Sequence, residues 1–140
     1  MSDIPECFYR VSVKALVWNE TNDKFLITRE QNDWWDLPGG GLDWGAEPRE
    51  EVMRELEEEM GITPTWVADN PTYFVRGGQG KGGEGIWIVN VLYETELPHL
   101  DFTPSEECLE VRFVSKEDLI DIDVRPQIVE LAEKIEKTAT

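Results

Sequence analysis

Basic side chains are scarce in this chain. Thirteen Lys and Arg stand against 30 Asp and Glu, for a formal net charge of −17. That balance argues against sequence-independent binding to DNA or RNA, which is driven by cationic groups neutralising phosphates. A small phosphorylated substrate is still compatible with it, because a bound divalent cation can invert the local field. Cysteine is nearly absent: Cys7 and Cys108 are far apart and lack metal-ligand spacing, so both read as free thiols of a cytosolic protein. The one histidine, His99, follows Pro98 at a strand end and reads as a loop residue, not a ligand. No run approaches the ~18 apolar residues of a membrane span, and no signal peptide opens the chain. These absences predict a soluble, cytoplasmic protein that binds neither membrane nor polymeric nucleic acid. Repeats and long linkers are missing too, so residues 1–140 are expected to form a single domain.

What is present is enough for a core: 40% hydrophobic residues and six Trp speak for a folded globule. Residues 8–18 alternate as a strand, with Val11, Val13 and Ala15 on one face. Arg10, Ser12 and Lys14 share the other face, read as solvated unless it lines a cleft, where Arg10 or Lys14 would meet phosphate. After the polar turn 19–23, Lys24–Arg29 is expected to pair back as a hairpin. Trp34 and Trp35 are adjacent in an extended stretch and must point to opposite sides, so at most one belongs to the core. The other, with Trp44, is a candidate for stacking on a nucleobase.

Further on, 65–75 reads as an interrupted strand, and the glycine-rich 77–85 as a hairpin tip able to close over a ligand. It lacks the G-x-x-x-x-G-K-[ST] phosphate-loop pattern, since Gly82 follows Lys81. Residues 86–93 are apolar on both faces and predict a central strand. A loop over 97–109 carries Glu106 and Glu107 and leads to a strand at 110–115. Ser115 and Asp118 form a cap for a short helix. A last helix starts at Pro126, with Ile128, Leu131, Ala132 and Ile135 on one face.

Residues 38–62 are the most informative stretch. A loop containing Gly39, Gly40, Gly41 and Gly45 runs into a helix over 48–60, with Pro48 suited to its first turn and Gly61 to its end. At 100° per residue, Val52, Met53, Leu56 and Met60 face the core. Glu51, Glu55, Glu58 and Glu59 form an adjacent stripe, with Arg54 at its edge. The helix contains no lysine to relieve the repulsion between these carboxylates. Such an oxygen-rich cluster suits a hard cation such as Mg²⁺, although an acidic solvated face is the other reading.

The order of residues here resembles the signature of the Nudix family, G-x5-E-x7-R-E-U-x-E-E-x-G-U with U aliphatic. Gly40 opens the pattern, and Arg54, Glu55, Leu56, Glu58, Glu59, Gly61 and Ile62 close it in register. One position departs: Ala46 stands where the signature has Glu, with Glu47 next to it.

The resemblance implies an α+β fold, an α/β/α sandwich with a mixed β-sheet. It also implies a Mg²⁺- or Mn²⁺-dependent enzyme, monomeric or homodimeric, that hydrolyses a diphosphate linked to another moiety, commonly a nucleoside. By matching position, Glu58 and Glu59 would be principal metal ligands, and Glu55 a further ligand or the base that orients water. The carbonyl of Gly39 would complete the site, and Arg54 would hold a neighbouring Glu in place. Glu107, then Glu106, are candidates for an additional acid from a late loop. Glu47 is a candidate substitute for the carboxylate missing at Ala46. The segment F-L-I-T-R-E resembles the nucleoside-triphosphate-cleaning (MutT-type) branch, which implies Arg29 near the substrate. Asp123-Val124-Arg125 stand where guanine-reading members place an Asn, so a nucleoside triphosphate or related nucleotide is expected without singling out oxidised guanine. The alternative is a Nudix-fold module that binds or regulates with little or no catalysis.

Overall fold

The computed structural model describes residues 5–79 and 86–138. Of the tip 77–85, expected to close over a ligand, residues 80–85 lie outside them. Strand β1 (Phe8–Leu16) and the long β7 (Ile86–Glu96) run parallel side by side and form the centre of the larger sheet. β4 (Gly39–Gly41) adds antiparallel to the far edge of β1. β5 (Trp66–Val67) and β6 (Tyr73–Gln79) both add antiparallel along the free edge of β7. The expectation of a central strand over 86–93 therefore holds.

The hairpin expected between residues 8–18 and 24–29 is corrected. Strand β2 (Phe25–Arg29) touches the end of the first strand only at its base, where Leu26 N–H donates to Val17 O at 2.9 Å. It then enters a second sheet between β3 (Trp35–Asp36) and β8 (Glu110–Val114). The segment 35–41 separates the two strands: Trp35-Asp36 pairs with β2, while Gly39–Gly41 pairs with β1. Between them Pro38 has no N–H to extend a ladder, and its carbonyl accepts from Ala15 N–H at 2.8 Å.

Two helices cover the larger sheet. Helix α1 (Pro48–Met60) buries Val52, Leu56 and Met60 against Val13, Ala15 and Tyr93. Helix α2 (Pro126–Thr138) buries Ile128, Leu131 and Ala132 against Leu16, Val75 and Leu92. Both faces were read correctly from helical spacing, and the layering is the expected α/β/α arrangement with a mixed sheet.

Candidate active site

The ends of α1 are fixed by local chemistry. Pro48 occupies the first helical position and holds Glu47 extended, and the Glu47 carboxylate accepts from Glu50 N–H at 2.9 Å as the N-cap. Gly61 ends the helix in the left-handed region at φ 69°, with its N–H on Glu57 O. Glu47 is therefore engaged as a cap on the exposed end of the helix. It is not among the carboxylates that converge beside β4.

From this frame α1 directs its acidic stripe toward the glycine strand β4. Glu59 is buried, and its carboxylate accepts from Gly39 N–H at 3.2 Å. At Gly39, with φ of +140°, an added Cβ would collide with Val13 O. A Cβ at Gly40 would come within 2.7 Å of the Glu55 carboxylate. Glycine at these two positions allows backbone and carboxylates to approach each other closely.

Glu55, Glu59 and Glu107 converge, with one carboxylate oxygen from each lying within 4.8 Å of the others. Glu107 arrives from the loop before β8. That loop is pinned by Ser105 Oγ donating to Glu59 O at 2.7 Å and by Gln31 N–H donating to Glu106 O at 2.9 Å. Its tip brings Glu107, and not Glu106, to the cluster.

Crowded carboxylates in a partly dry site resist ionisation. Burial pushes Glu59 up to about 9, against the opposing pull of Lys14 and the Gly39 N–H. Glu55 is raised first by burial and then by its neighbours Glu58 and Glu107, while Arg54 pulls the other way. Cys108, buried beside Glu59, has its thiol raised to about 11 by burial and by that neighbour. It is unsuited to nucleophilic chemistry at neutral pH.

Arg54 donates to Glu51 at 2.7 Å, Glu55 at 2.9 Å and Glu58 at 2.6 Å. Glu58 is exposed and turned to this arginine, so it stands outside the converged set. Arg54 thus sits in a belt of carboxylates.

The cluster opens into a cleft of about 850 Å³. Here the reading of Arg10, Ser12 and Lys14 as a solvated face is corrected. All three line the cleft, and Ser12 and Lys14 are buried, because Trp34, β4 and the start of α2 enclose that face. Lys14 Nζ reaches Asp36 Oδ2 at 3.4 Å and Leu37 O at 3.2 Å. Asp36 Oδ1 accepts from Gln127 Nε2 at 2.8 Å.

Of the tryptophans proposed for substrate, Trp34 lines the cleft, with the Arg125 guanidinium 4.5 Å from its ring centroid. Trp35 lies in the core at 7% exposure, on the opposite side of the extended segment, which removes it from contact with a ligand. Trp44 is fully exposed and stands outside the cleft lining. Arg29 is also outside that lining and pairs with Asp33 at 2.9 Å and Glu110 at 3.1 Å.

Asp36, Asn90 and Gln127 escaped the sequence reading, although all three line the cleft. Asn90 carried a usable signal, being the single polar residue within I-W-I-V-N-V-L-Y. Gln127 carried none, since its partner is 91 residues away.

A NUDIX domain sequence model matches residues 8–135. The chain belongs to the Nudix hydrolase family. Among curated proteins it is 30% identical over 102 residues to the RNA pyrophosphohydrolase of Ruthia magnifica subsp. Calyptogena magnifica, covering 63% of this chain. The chain spans 57% of that relative's own length. Among solved structures, the MutT protein from Methanosarcina mazei Go1 superposes with a TM-score of 0.77 at 26% identity, covering 98% of this chain and 99% of that one. The E. coli ORF135 protein, at 19% identity, shares the fold with a TM-score of 0.75 over 99% of this chain and 96% of its own. The Nudix fold accounts for the loop, helix and late acidic loop meeting at one point.

Proposed function

We propose that this Nudix protein is a divalent-cation-dependent pyrophosphohydrolase. Its proposed substrate is a nucleoside triphosphate or related nucleotide, and the reaction is attack of water on a phosphoanhydride. The observation that carries this reading is the convergence of Glu55, Glu59 and Glu107 within 4.8 Å beside a cleft lined by Arg10, Lys14 and Trp34. The names of the relatives, an RNA pyrophosphohydrolase and a MutT protein, support the same reaction class.

The donor set suits Mg²⁺ or Mn²⁺: three carboxylates offer hard oxygens, and their burial, with some mutual repulsion, raises Glu59 and Glu55 and is a cost that a cation would offset. Glu55, Glu59 and Glu107 would hold it, with the Gly39 carbonyl and Glu58 as further ligands. A divalent cation held there would supply neutralisation of phosphoryl charge and acidification of a water molecule. Arg10 and Lys14, cations on the cleft wall, bind the phosphate chain, Arg10 through its guanidinium fork and Lys14 as a point charge. Glu55 accepts the proton of the attacking water as the new P–O bond forms and the anhydride P–O bond breaks. Arg54 holds Glu55 in its rotamer and does not touch substrate. Trp34 offers a face for the base.

The experiment is phosphate and pyrophosphate release from a panel of nucleoside triphosphates, ADP-ribose, dinucleoside polyphosphates and nucleotide sugars, with and without Mg²⁺. Turnover that requires the cation and is lost in Glu59→Gln is the expected result. A second reading, a binding module with little catalysis, draws on Ala46 and on the capping role of Glu47. Calorimetric binding across the same panel without any turnover would favour it.

A further inference from the structure

Among the described residues, two buried side-chain polar atoms have no hydrogen-bond partner, Asn90 Oδ1 and Arg125 Nε, and both residues line the cleft. Folded proteins leave few such atoms, so two on one cavity call for an explanation in terms of what the cavity holds.

Asn90 is 1% exposed. It sits in β7 between Ser12 of β1 and Val75 of β6. Its Nδ2 is turned toward β6, 3.5 Å from Val75 O. Gly77 leaves room for it there, where a Cβ would approach Nδ2 to 3.2 Å. With the amide nitrogen turned to β6, Oδ1 is left as an unpaired acceptor. No hydrogen bond from Lys14 reaches it; Lys14 Nζ is turned to Asp36 and Leu37 O. Gln127 likewise has its amide nitrogen engaged, on Asp36 Oδ1. Arg125 pairs with Glu30 at 3.5 Å and lays its guanidinium over Trp34, yet its Nε finds no acceptor. The cleft wall therefore holds a recessed unpaired acceptor, a recessed unpaired donor and a flat aromatic face.

We propose that Asn90 is a specificity-determining residue that accepts from the exocyclic amino group of a nucleobase held beside the Trp34–Arg125 stack. The favoured substrates carry adenine, cytosine or guanine over uracil or hypoxanthine. An amino group projects beyond the ring and reaches a recessed acceptor. The ring N–H of uracil lies between two carbonyl oxygens, which would face Oδ1 with their lone pairs. This inference rests on the nucleotide reading above, but it concerns recognition and not hydrolysis.

The test is calorimetric binding of nucleoside monophosphates in matched pairs: AMP against purine riboside 5′-monophosphate, CMP against UMP, and GMP against IMP. The wild-type protein is expected to bind at least one amino-bearing member about tenfold more tightly, the scale of one buried hydrogen bond. Asn90→Leu should bring the pair within about threefold, while Asn90→Asp, which keeps the acceptor, should retain the preference. Equal affinities within all three pairs, no binding of any monophosphate, or an undiminished preference in Asn90→Leu would overturn the proposal. If Asn90→Leu fails to fold by circular dichroism, Asn90→Ala is measured in its place against the same threefold limit. Triphosphate hydrolysis with Mg²⁺, measured on the same wild-type preparation, reports separately on the catalytic reading. A binding preference without turnover keeps Asn90 in this role and removes the hydrolase.

Discussion

Glu59 concentrates the chemistry of the site in one carboxyl. Its ordinary value of 4.5 is displaced to about 9, chiefly by burial. In cation-free protein, the folded state keeps a proton between these values that the unfolded state has lost. Stability at this group is therefore complete below about 4.5 and declines as pH rises toward 9. Melting curves in EDTA should show this decline in the wild type and lose part of it in Glu59→Gln, which has no proton to release. Cation binding must release that proton, so Mg²⁺ affinity should strengthen as pH rises over the same window. A pH-independent affinity would show that Glu59 is already ionised.

The role of Glu58 can be decided at the same scale. Its carboxylate is held by Arg54 at 2.6 Å and lies outside the converged set. If it joins the cation as the resemblance implies, Glu58→Gln should lower kcat at saturating Mg²⁺ by about 100-fold or more, as removal of a principal charge-stabilising group does. Undiminished turnover would reduce Glu58 to a partner of Arg54.

Helix α1 behaves as a unit whose two ends set the position of the carboxylates. Glu47 caps it at 2.9 Å, and Gly61 closes it at φ 69°. Glu47→Ala should cost about 0.5–1 kcal/mol of stability through the lost cap, measured by urea denaturation. It should leave turnover within about threefold, because no carboxylate of the cluster is removed. A collapse of activity in a folded Glu47→Ala protein would mean that Glu47 does replace the acid missing at Ala46. Gly61→Ala should cost more, about 1–2 kcal/mol, since the left-handed backbone resists a side chain. The added Cβ would also come 3.1 Å from Thr103 Oγ1.

The whole molecule carries a net charge of −17 and still folds around two hydrophobic clusters, one under each helix. Self-repulsion on this scale opposes compaction and is screened by salt. Raising NaCl from about 10 mM to about 0.5 M should therefore raise Tm in differential scanning calorimetry. A flat or falling Tm would indicate that the ion pairs around Arg54 and Arg29 outweigh the repulsion. Within the same acidic surface, the cleft sets Arg10, Lys14 and Arg125 beside Glu30, Asp36, Glu55, Glu59 and Glu107.

Local chemistry determined a large part of this protein without tertiary information. Helix α1 from Pro48 to Met60 follows from Pro48, Gly61 and the spacing of Val52, Leu56 and Met60, all read within one segment. The buried face of α2 and the central position of β7 follow from periodicity in the same way. The acidic stripe and its likeness to the Nudix signature were equally local. Tertiary structure decided the rest, because those outcomes depend on which strands separate. β1 and β2 look like a hairpin in sequence, but the 35–41 segment pairs with both and sends them into different sheets. That insertion helps enclose the face bearing Ser12 and Lys14, while the β1–β7 pairing sets Asn90 beside it and α2 brings Gln127, turning a polar strand face into a cleft wall. It likewise divides the adjacent tryptophans, sending Trp35 to the core and Trp34 to the cleft. Alternation alone required the two rings to part, and only strand pairing decided which ring took which side.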